Sequence, residues 1–443
     1  MLKIALLAPA GAMHRYSGNF GKSLHYAPLT LTTLAALIPA DVEADVVIYD
    51  ETAGKIPLQI DADLIGITCI TGTSPRCYAY ADYFRKKGIT VFMGGVHPTL
   101  MPEEAAEHAD VIFTGFSEQT FPQFIYDYVA GNYRKRYDQN CDFTMEGKPF
   151  PRRELLHARR YITTKTVEAI RGCYHTCSFC AYPAAFGRTV FKRPVKEVAA
   201  EIEAMNTRHV LFPDVNLVTD REYAIELFTE LIPLKIIWLG LVTSSAGIDD
   251  ELIRVFRKSG CRGLLIGFES ITQESQKYIH KGVNRVEEYV TLMERLHDNG
   301  ILVQGCFAFG GDEEDESVFD RTVEMIIRAK IDLPRYSILT PFPKTEYYAQ
   351  LEREGRITER NWAMYDVQHC VFEPKNMTKQ QLEEGTDRAW RATYTTSNIM
   401  KRLAPFRHSP WLSLPLNFGY KGYADKWHKF TREVMCDNSD IPL

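Results

Sequence analysis

Short apolar runs alternate with segments of helical spacing twice along this 443-residue chain, and that double alternation excludes most folds open to a chain of this length. The first series has apolar runs at residues 3–8, 45–49, 64–68, 90–93 and 110–113, with helix-like spacing at 28–37, 76–87, 103–108 and 118–129. The second has runs at 167–170, 209–212, 236–242, 263–268, 302–309 and 336–340, separated by helical patterns such as Val195, Val198, Ala199 and Ile202. Strand and helix in alternation predict parallel sheets, which bury both faces and take ligands beyond the carboxyl ends of their strands. The expected fold class is α/β: a doubly wound parallel sheet, then a partial (β/α)6 barrel, then a mainly helical C-terminal region.

The expected boundaries follow the alternation: a sheet domain over 1–135, a linker over 136–160 containing Pro149 and Pro151, a barrel over 161–345 and a helical cap over 346–443. In the cap, Trp411, Phe418, Tyr420, Tyr423, Trp427 and Phe430 read as core and interface packing, with lining of an apolar site as the other use. Fifty-two basic against fifty-seven acidic residues leave a net charge of −5, which argues against an electrostatically driven nucleic-acid binder. No run approaches the roughly 20 apolar residues that span a bilayer, and the N-terminal run lacks the flanks of a signal peptide. Ten cysteines are too few for a small disulfide scaffold, so a soluble, cytoplasmic protein with reduced thiols is expected.

Three of those thiols lie together in Arg171-Gly172-Cys173-Tyr174-His175-Thr176-Cys177-Ser178-Phe179-Cys180, directly after the first predicted barrel strand. Thiolates at C-x3-C-x2-C can each hold one iron of a cubane cluster, and the absent fourth ligand leaves one iron open to a small molecule. A zinc site completed by His175 or a distant residue is the alternative, although no second cysteine pair accompanies the first. Chance clustering of buried cysteines is the other. Cys69 falls in a loop at a sheet end, and Cys306, inside a predicted strand, reads as buried packing.

The cysteine spacing, the aromatic Phe179 before the last cysteine and the barrel that follows resemble the radical S-adenosylmethionine (SAM) superfamily. The resemblance implies that Cys173, Cys177 and Cys180 hold a 4Fe-4S cluster, whose open iron SAM chelates through its amino and carboxylate groups. Reductive cleavage then yields a 5′-deoxyadenosyl radical that abstracts a substrate hydrogen. Phe212-Pro213-Asp214-Val215-Asn216 resembles the family's F-x-D-x-N segment, and Gly267-Phe268-Glu269-Ser270 its G-F-E-S strand end. Phe309-Gly310-Gly311-Asp312 resembles its F-G-x-D turn, and Pro341-Phe342-Pro343-Lys344-Thr345 its P-F-P-G-T segment with Lys344 in place of glycine. The implied SAM-binding residues are Phe179, Asp214, Asn216, Thr243, Ser244, Glu269 and Ser270.

The preceding sheet resembles the Rossmann-like domain of the superfamily's cobalamin-binding branch. Gly94-Gly95-Val96-His97-Pro98 matches G-G-x-H-P, and Thr114-Gly115-Phe116-Ser117-Glu118 matches x-G-E-x-E loosely, with Phe116 at an acidic position. The implied cobalamin contacts are Thr68, Thr71, Gly72, Gly94, Gly95, His97, Gly115 and Glu118. No D-x-H-x-x-G motif is present, so cobalt without a protein histidine ligand is expected, with His97 touching the ligand's amide edge. The layout, with Val371-Phe372-Glu373-Pro374, is similar to lipid and pigment C-methylases and to the anaerobic bacteriochlorophyll ring cyclase. This implies methylation of a substrate radical by methylcobalamin. Other radical reactions (cyclisation, oxidation or rearrangement), with cobalamin carrying electrons or absent, are the second reading, and a non-catalytic iron–sulfur or zinc sensor the third.

Expected partners are a small, apolar substrate and an electron donor such as a flavodoxin or ferredoxin, with no nucleic acid and no transmembrane segment. Tyr16, Tyr26, Tyr336 and Trp362 are candidates to line an apolar pocket, and no catalytic side chain is singled out.

Overall fold

The computed structural model describes residues 1–11, 27–139, 143–404, 410–426 and 438–442, with the side chains of 410–412 excepted. The predicted loop at 14–26, with Tyr16 and Tyr26, and the side chains of Trp411, Trp427 and Phe430 lie outside the described residues.

Six parallel strands form the N-terminal sheet: β1 (Leu2–Ala8), β2 (Ala44–Asp50), β3 (Leu64–Thr68), β4 (Thr90–Gly94), β5 (Val111–Thr114) and β6 (Arg136–Asp138), in the order β2-β1-β3-β4-β5-β6. Alternate residues of each strand feed two cores. Ala5, Leu7, Ile65, Ile67, Val91 and Met93 pack on Cys77, Tyr80 and Phe84 of helix α2 (Ser74–Lys86). Ile4, Leu6, Leu64, Phe92 and Phe113 face Leu31 of α1 (Leu29–Ala36) and Phe121 and Phe124 of α5 (Thr120–Val129). Burial on both faces is why these strands read as continuous apolar runs. Between α2 and α5, the short helices α3 (Val96–Leu100) and α4 (Pro102–His108) follow β4. Two details depart from expectation. Residues 136–138, expected as linker, extend the sheet beside β5 because the main chain of Arg136–Asp138 pairs in register with Ile112–Thr114. The segment from Val96, expected as a turn, winds into α3.

The second sheet has the order β13-β12-β11-β10-β9, again all parallel, from β9 (His209–Phe212), β10 (Ile237–Val242), β11 (Cys261–Glu269), β12 (Leu302–Phe309) and β13 (Arg335–Ile338). The first expected barrel strand, 167–170, is not a full strand. It approaches β9 through a single bridge, Thr166 to Leu211, and its end pairs antiparallel as β7 (Ile170–Arg171) with β8 (Phe191–Lys192). The physical reason is Asp214, whose Oδ1 accepts the Ala169 and Ile170 amides at 2.8 and 2.5 Å and so takes the Ala169 N–H, the next donor on the side that faces β9. The inner face of this sheet is open. Ile237 and Leu239 on β10 remain 38% and 43% exposed, whereas Trp238 between them is buried against the helices. A closed barrel would fill that space with side chains.

The C-terminal helix α6 (Lys379–Thr393) covers the β13 edge, and α7 (Thr396–Leu403) and α8 (Pro410–Ala424) pack against it. Trp390 stacks on Tyr394 and Tyr420, and the Tyr336 hydroxyl meets Thr393, so Tyr336 faces this packing rather than the barrel interior. Tyr423 is buried with them and Phe418 is 46% exposed. Buried Arg402 caps the carbonyls of Ile331 and Asp332, both at 2.8 Å. Among the described residues, no helix is long and apolar enough to cross a membrane.

Asp312, at the turn after β12, accepts two hydrogen bonds from Arg356 at 2.7 and 3.0 Å and pairs with Lys375 at 2.7 Å. Burial pushes its pKa up, but Arg356 and Lys375 outweigh burial and hold it below the usual range. Because removing one partner strands the others, Asp312→Asn should cost about 3–5 kcal/mol in urea unfolding. The folded pKa is depressed, so this contribution is complete above the unfolded value of about 4 and fades as pH falls below it. The gap between wild type and variant should therefore be flat from pH 5 to 8 and shrink below pH ~4.

Candidate functional site

The carboxyl ends of the first sheet form one wall of a cavity of about 470 Å³. Thr68 and Ile70 at the end of β3, Gly94, Gly95 and Val96 at the end of β4, and Gly115 to Glu118 after β5 line it, while Leu31, Leu34, Phe92 and Phe113 make an apolar recess behind. The loops are drawn together at Gly95, whose φ is +112° and where a Cβ would lie 2.6 Å from the Cys69 carbonyl oxygen. Only glycine allows that approach, and the His97 amide donates to the same carbonyl at 3.1 Å.

Of the residues expected to face cobalamin, Thr68, Gly94, Gly95, Gly115 and Glu118 line this cavity, whereas Thr71, Gly72 and His97 do not. Gly72 lies beneath the Tyr365 carbonyl, and Thr71 is buried. His97 is fully buried on α3, with Nε2 3.0 Å from the Tyr78 hydroxyl and Nδ1 3.3 Å from the Thr71 hydroxyl. It therefore lies behind the cavity wall and not on its surface. The helix formed from residue 96 turns the imidazole inward, where Tyr78, Thr71 and Glu104 satisfy it. Trp362, expected in a pocket, donates its indole N–H to Glu104 at 2.9 Å and ties the C-terminal region to the sheet domain. Cys69 is likewise buried within the wall.

The opposite wall belongs to the barrel: Glu168, Arg171, Tyr182, Phe186 and Pro213. Behind them runs the cysteine loop. Gly172, at φ +111°, opens it because a Cβ there would stand 2.3 Å from the Thr189 carbonyl oxygen. Ser178 anchors it, its amide donating to Ile279 at 3.1 Å and its carbonyl accepting from Tyr347 at 2.9 Å. Cys173, Cys177 and Cys180 are all half-buried, and Phe179 packs against the barrel core. Burial pushes the Cys177 thiol up to about 12, with Lys281 opposing, and also raises Cys180. Burial thus disfavours a bare thiolate at both positions. Among the described residues, no three His, Cys, Asp or Glu side chains converge on a point that one ion could occupy. Thiolates holding separate irons of a cluster need no such convergence.

The strand ends around the loop divide into committed and uncommitted groups. The Ser244 hydroxyl donates to Asn284 at 2.7 Å and the Ser270 hydroxyl to Glu314 at 2.9 Å, so both are spent within the barrel. Thr243 pairs with Ser245. Asn216 accepts the Thr243 amide at 3.2 Å, but its Nδ2, the Asp214 Oδ2, the His175 Nε2 and the Tyr182 hydroxyl are buried without a hydrogen-bond partner. Buried polar atoms of this kind cost about 1–3 kcal/mol each unless a ligand meets them, so their grouping beside the cysteine loop fits a polar cofactor. Burial raises Asp214 to about 7, with Glu168 adding to the effect. Glu269 has φ +61° and pairs with buried Lys281, and both charges are felt at Cys177 and Cys180. Lys281, Asn284, Tyr182 and Arg171 were not among the sequence candidates. Lys281-Gly282 carries no spacing signal, and Arg171 is marked only by its place two residues before Cys173. Cys306 sits beside Gly267 in the β11–β12 register, half-buried on the inner face rather than packed away.

Both halves of the chain match known families. Residues 167–326 match the model of the radical SAM superfamily and residues 28–125 that of the B12 binding domain. Bacteriochlorophyllide d C-12(1)-methyltransferase of Chlorobaculum tepidum is 30% identical over 388 residues, covering 85% of this chain and 84% of that protein. The anaerobic magnesium-protoporphyrin IX monomethyl ester cyclase of Cereibacter sphaeroides is 25% identical, over 84% of this chain and 65% of its own length. In fold, the chain is similar to the radical SAM methyltransferase TsrM of Kitasatospora setae, with a TM-score of 0.70, 15% identity, and coverage of 97% and 100%. The chain belongs to the cobalamin-binding radical SAM enzyme family, whose cofactors are a 4Fe-4S cluster, SAM and cobalamin.

Proposed function

We propose that this enzyme is a C-methyltransferase acting on a largely apolar, pigment-like small molecule between its two sheets. The observation that carries the reading is the single cavity with Thr68, Gly94, Gly95 and Gly115 on one wall and Arg171, Tyr182 and Pro213 on the other. When bound, the cluster and SAM supply a 5′-deoxyadenosyl radical that removes a substrate hydrogen, and cobalamin supplies the methyl group. The chain's own part is to hold, orient and exclude water. Cys173, Cys177 and Cys180 would anchor the cluster, and Glu269 with Lys281 offers paired charges to the amino and carboxylate groups of SAM. Asn216 Nδ2 and Asp214 Oδ2 bring unspent polar atoms to the same end of the barrel. Thr68, Gly94, Gly95 and Gly115 would meet the corrin, and His97 lies behind them. The apolar side chains of Leu31, Leu34, Phe116 and Phe186 in the cavity suit an apolar substrate. An external one-electron donor of the flavodoxin or ferredoxin type completes the reading.

The relationship to a cyclase favours one competing reading, radical chemistry without methyl transfer. Anaerobic reconstitution with iron, sulfide, hydroxocobalamin, SAM and a strong reductant separates the two when a bacteriochlorophyllide is offered as substrate. Both S-adenosylhomocysteine and 5′-deoxyadenosine should form, and deoxyadenosine alone would reject methylation. Alanine at Cys173, Cys177 or Cys180 should abolish deoxyadenosine formation, whereas Cys77→Ala, buried in α2, should retain it.

Lys281→Met should raise the SAM concentration for half-maximal cleavage at least about tenfold, the loss of one charged contact of roughly 1.4 kcal/mol or more, and keep the cluster's visible absorbance. Lys281→Arg should recover part of the loss. Equal half-saturation in wild type and Lys281→Met would remove the residue from SAM binding.

A further inference from the structure

We infer that Arg171 is a positioning residue that sets the separation between the cobalamin face of the sheet and the cysteine loop of the barrel. The role rests on the cobalamin reading above. Arg171 stands two residues before Cys173 and reaches across the domain boundary, its guanidinium donating to Glu118 Oε1 at 2.7 Å. Within the barrel segment it holds Glu168 through two further hydrogen bonds, at 3.0 and 2.6 Å. Lys148, from the linker, closes the group at 2.5 Å from Glu168 and 3.6 Å from Glu118. Four charged groups from three segments thus share one buried network, with side-chain exposures between 5% and 21%.

An aromatic stack reinforces the same junction. The Arg171 guanidinium lies 4.5 Å from the centre of the Phe116 ring, and Phe116 stacks at 4.7 Å and 6° on Phe186, six residues beyond Cys180. Phe143 and Phe191 pack on Phe116 at 5.2 and 5.8 Å. Phe116 stands where the family resemblance has an acidic residue, and here that position welds sheet to barrel. The loop after β5 and the cysteine loop are therefore fastened at both ends of one arginine. A planar fork held on two carboxylates and an aromatic face restricts both distance and angle, which a point charge would not.

Methyl transfer from SAM to reduced cobalamin depends on how the two cofactors are placed across the domain boundary, whereas SAM cleavage depends only on the barrel. A shift of about 1 Å can cost on the order of 100-fold in such a step. The test compares the ratio of S-adenosylhomocysteine to 5′-deoxyadenosine, with cobalamin loading verified by absorbance at saturation. The proteins are wild type, Arg171→Ala, Arg171→Lys and, from the opposite side, Glu118→Gln. Amide exchange is followed in the cofactor-free proteins. The ratio should fall at least tenfold in Arg171→Ala and Glu118→Gln and recover in part in Arg171→Lys. Exchange should quicken in residues 115–118 and 172–180 together. If Arg171→Ala does not fold, the near-isosteric Glu118→Gln decides. Products that fall in parallel, or exchange that changes in one loop only, would overturn the role of Arg171 alone. A wild type that takes up no cobalamin would overturn the proposed function, and this role with it.

Discussion

Arg171 and the carboxylates on either side of it set the condition under which everything else in this protein makes sense. Two parallel sheets each present their carboxyl ends, where loops are free of the crossover helices, and the network pins those two ends against each other. Burying four charges is costly unless each is met, and here each is. Burial would raise Glu168, yet Arg171 and Lys148 hold it well below the ordinary carboxylate range, so the group remains ionised at neutral pH.

Around that junction the molecule separates groups that are spent from groups that are not. Ser244, Ser270, His97 and Trp362 complete internal hydrogen bonds and give the walls their stiffness. Asn216, Asp214, His175 and Tyr182 keep buried polar atoms unmet. A scaffold that satisfies most of its buried polar atoms and leaves a few beside three half-buried thiols is preorganised for a polar cofactor. Burial raises the Cys177 and Cys180 thiols, so a bare thiolate at either is disfavoured without a neighbouring cation.

The C-terminal helices stabilise this arrangement from outside. The helix Lys379–Thr393 covers the β13 edge, where an unprotected strand would offer its main-chain groups to another chain, and the two later helices pack on it. Trp390, Tyr394 and Tyr420 form the packing, and Arg402 satisfies the Ile331 and Asp332 carbonyls in the turn before β13. The aromatics of this region that are described inside it serve the core, with Phe418 the exposed exception.

Both sheets and the cysteine loop were legible in the sequence because their signals are local. Runs buried on both faces stay apolar over a whole strand, and C-x3-C-x2-C is a spacing within one loop. G-G-x-H-P located the loop after β4 but not the direction of His97, since that depends on α3 and on Tyr78, nineteen residues earlier. Nor could spacing reveal that Glu118 meets Arg171 across 53 residues, that Lys281 meets Glu269, or that Asp214 ends the first barrel strand by taking its amides. Sequence periodicity reports which face of an element is apolar. Which charged side chains meet across two domains is decided only when the sheets are placed end to end, because those pairings depend on distance in space and not along the chain.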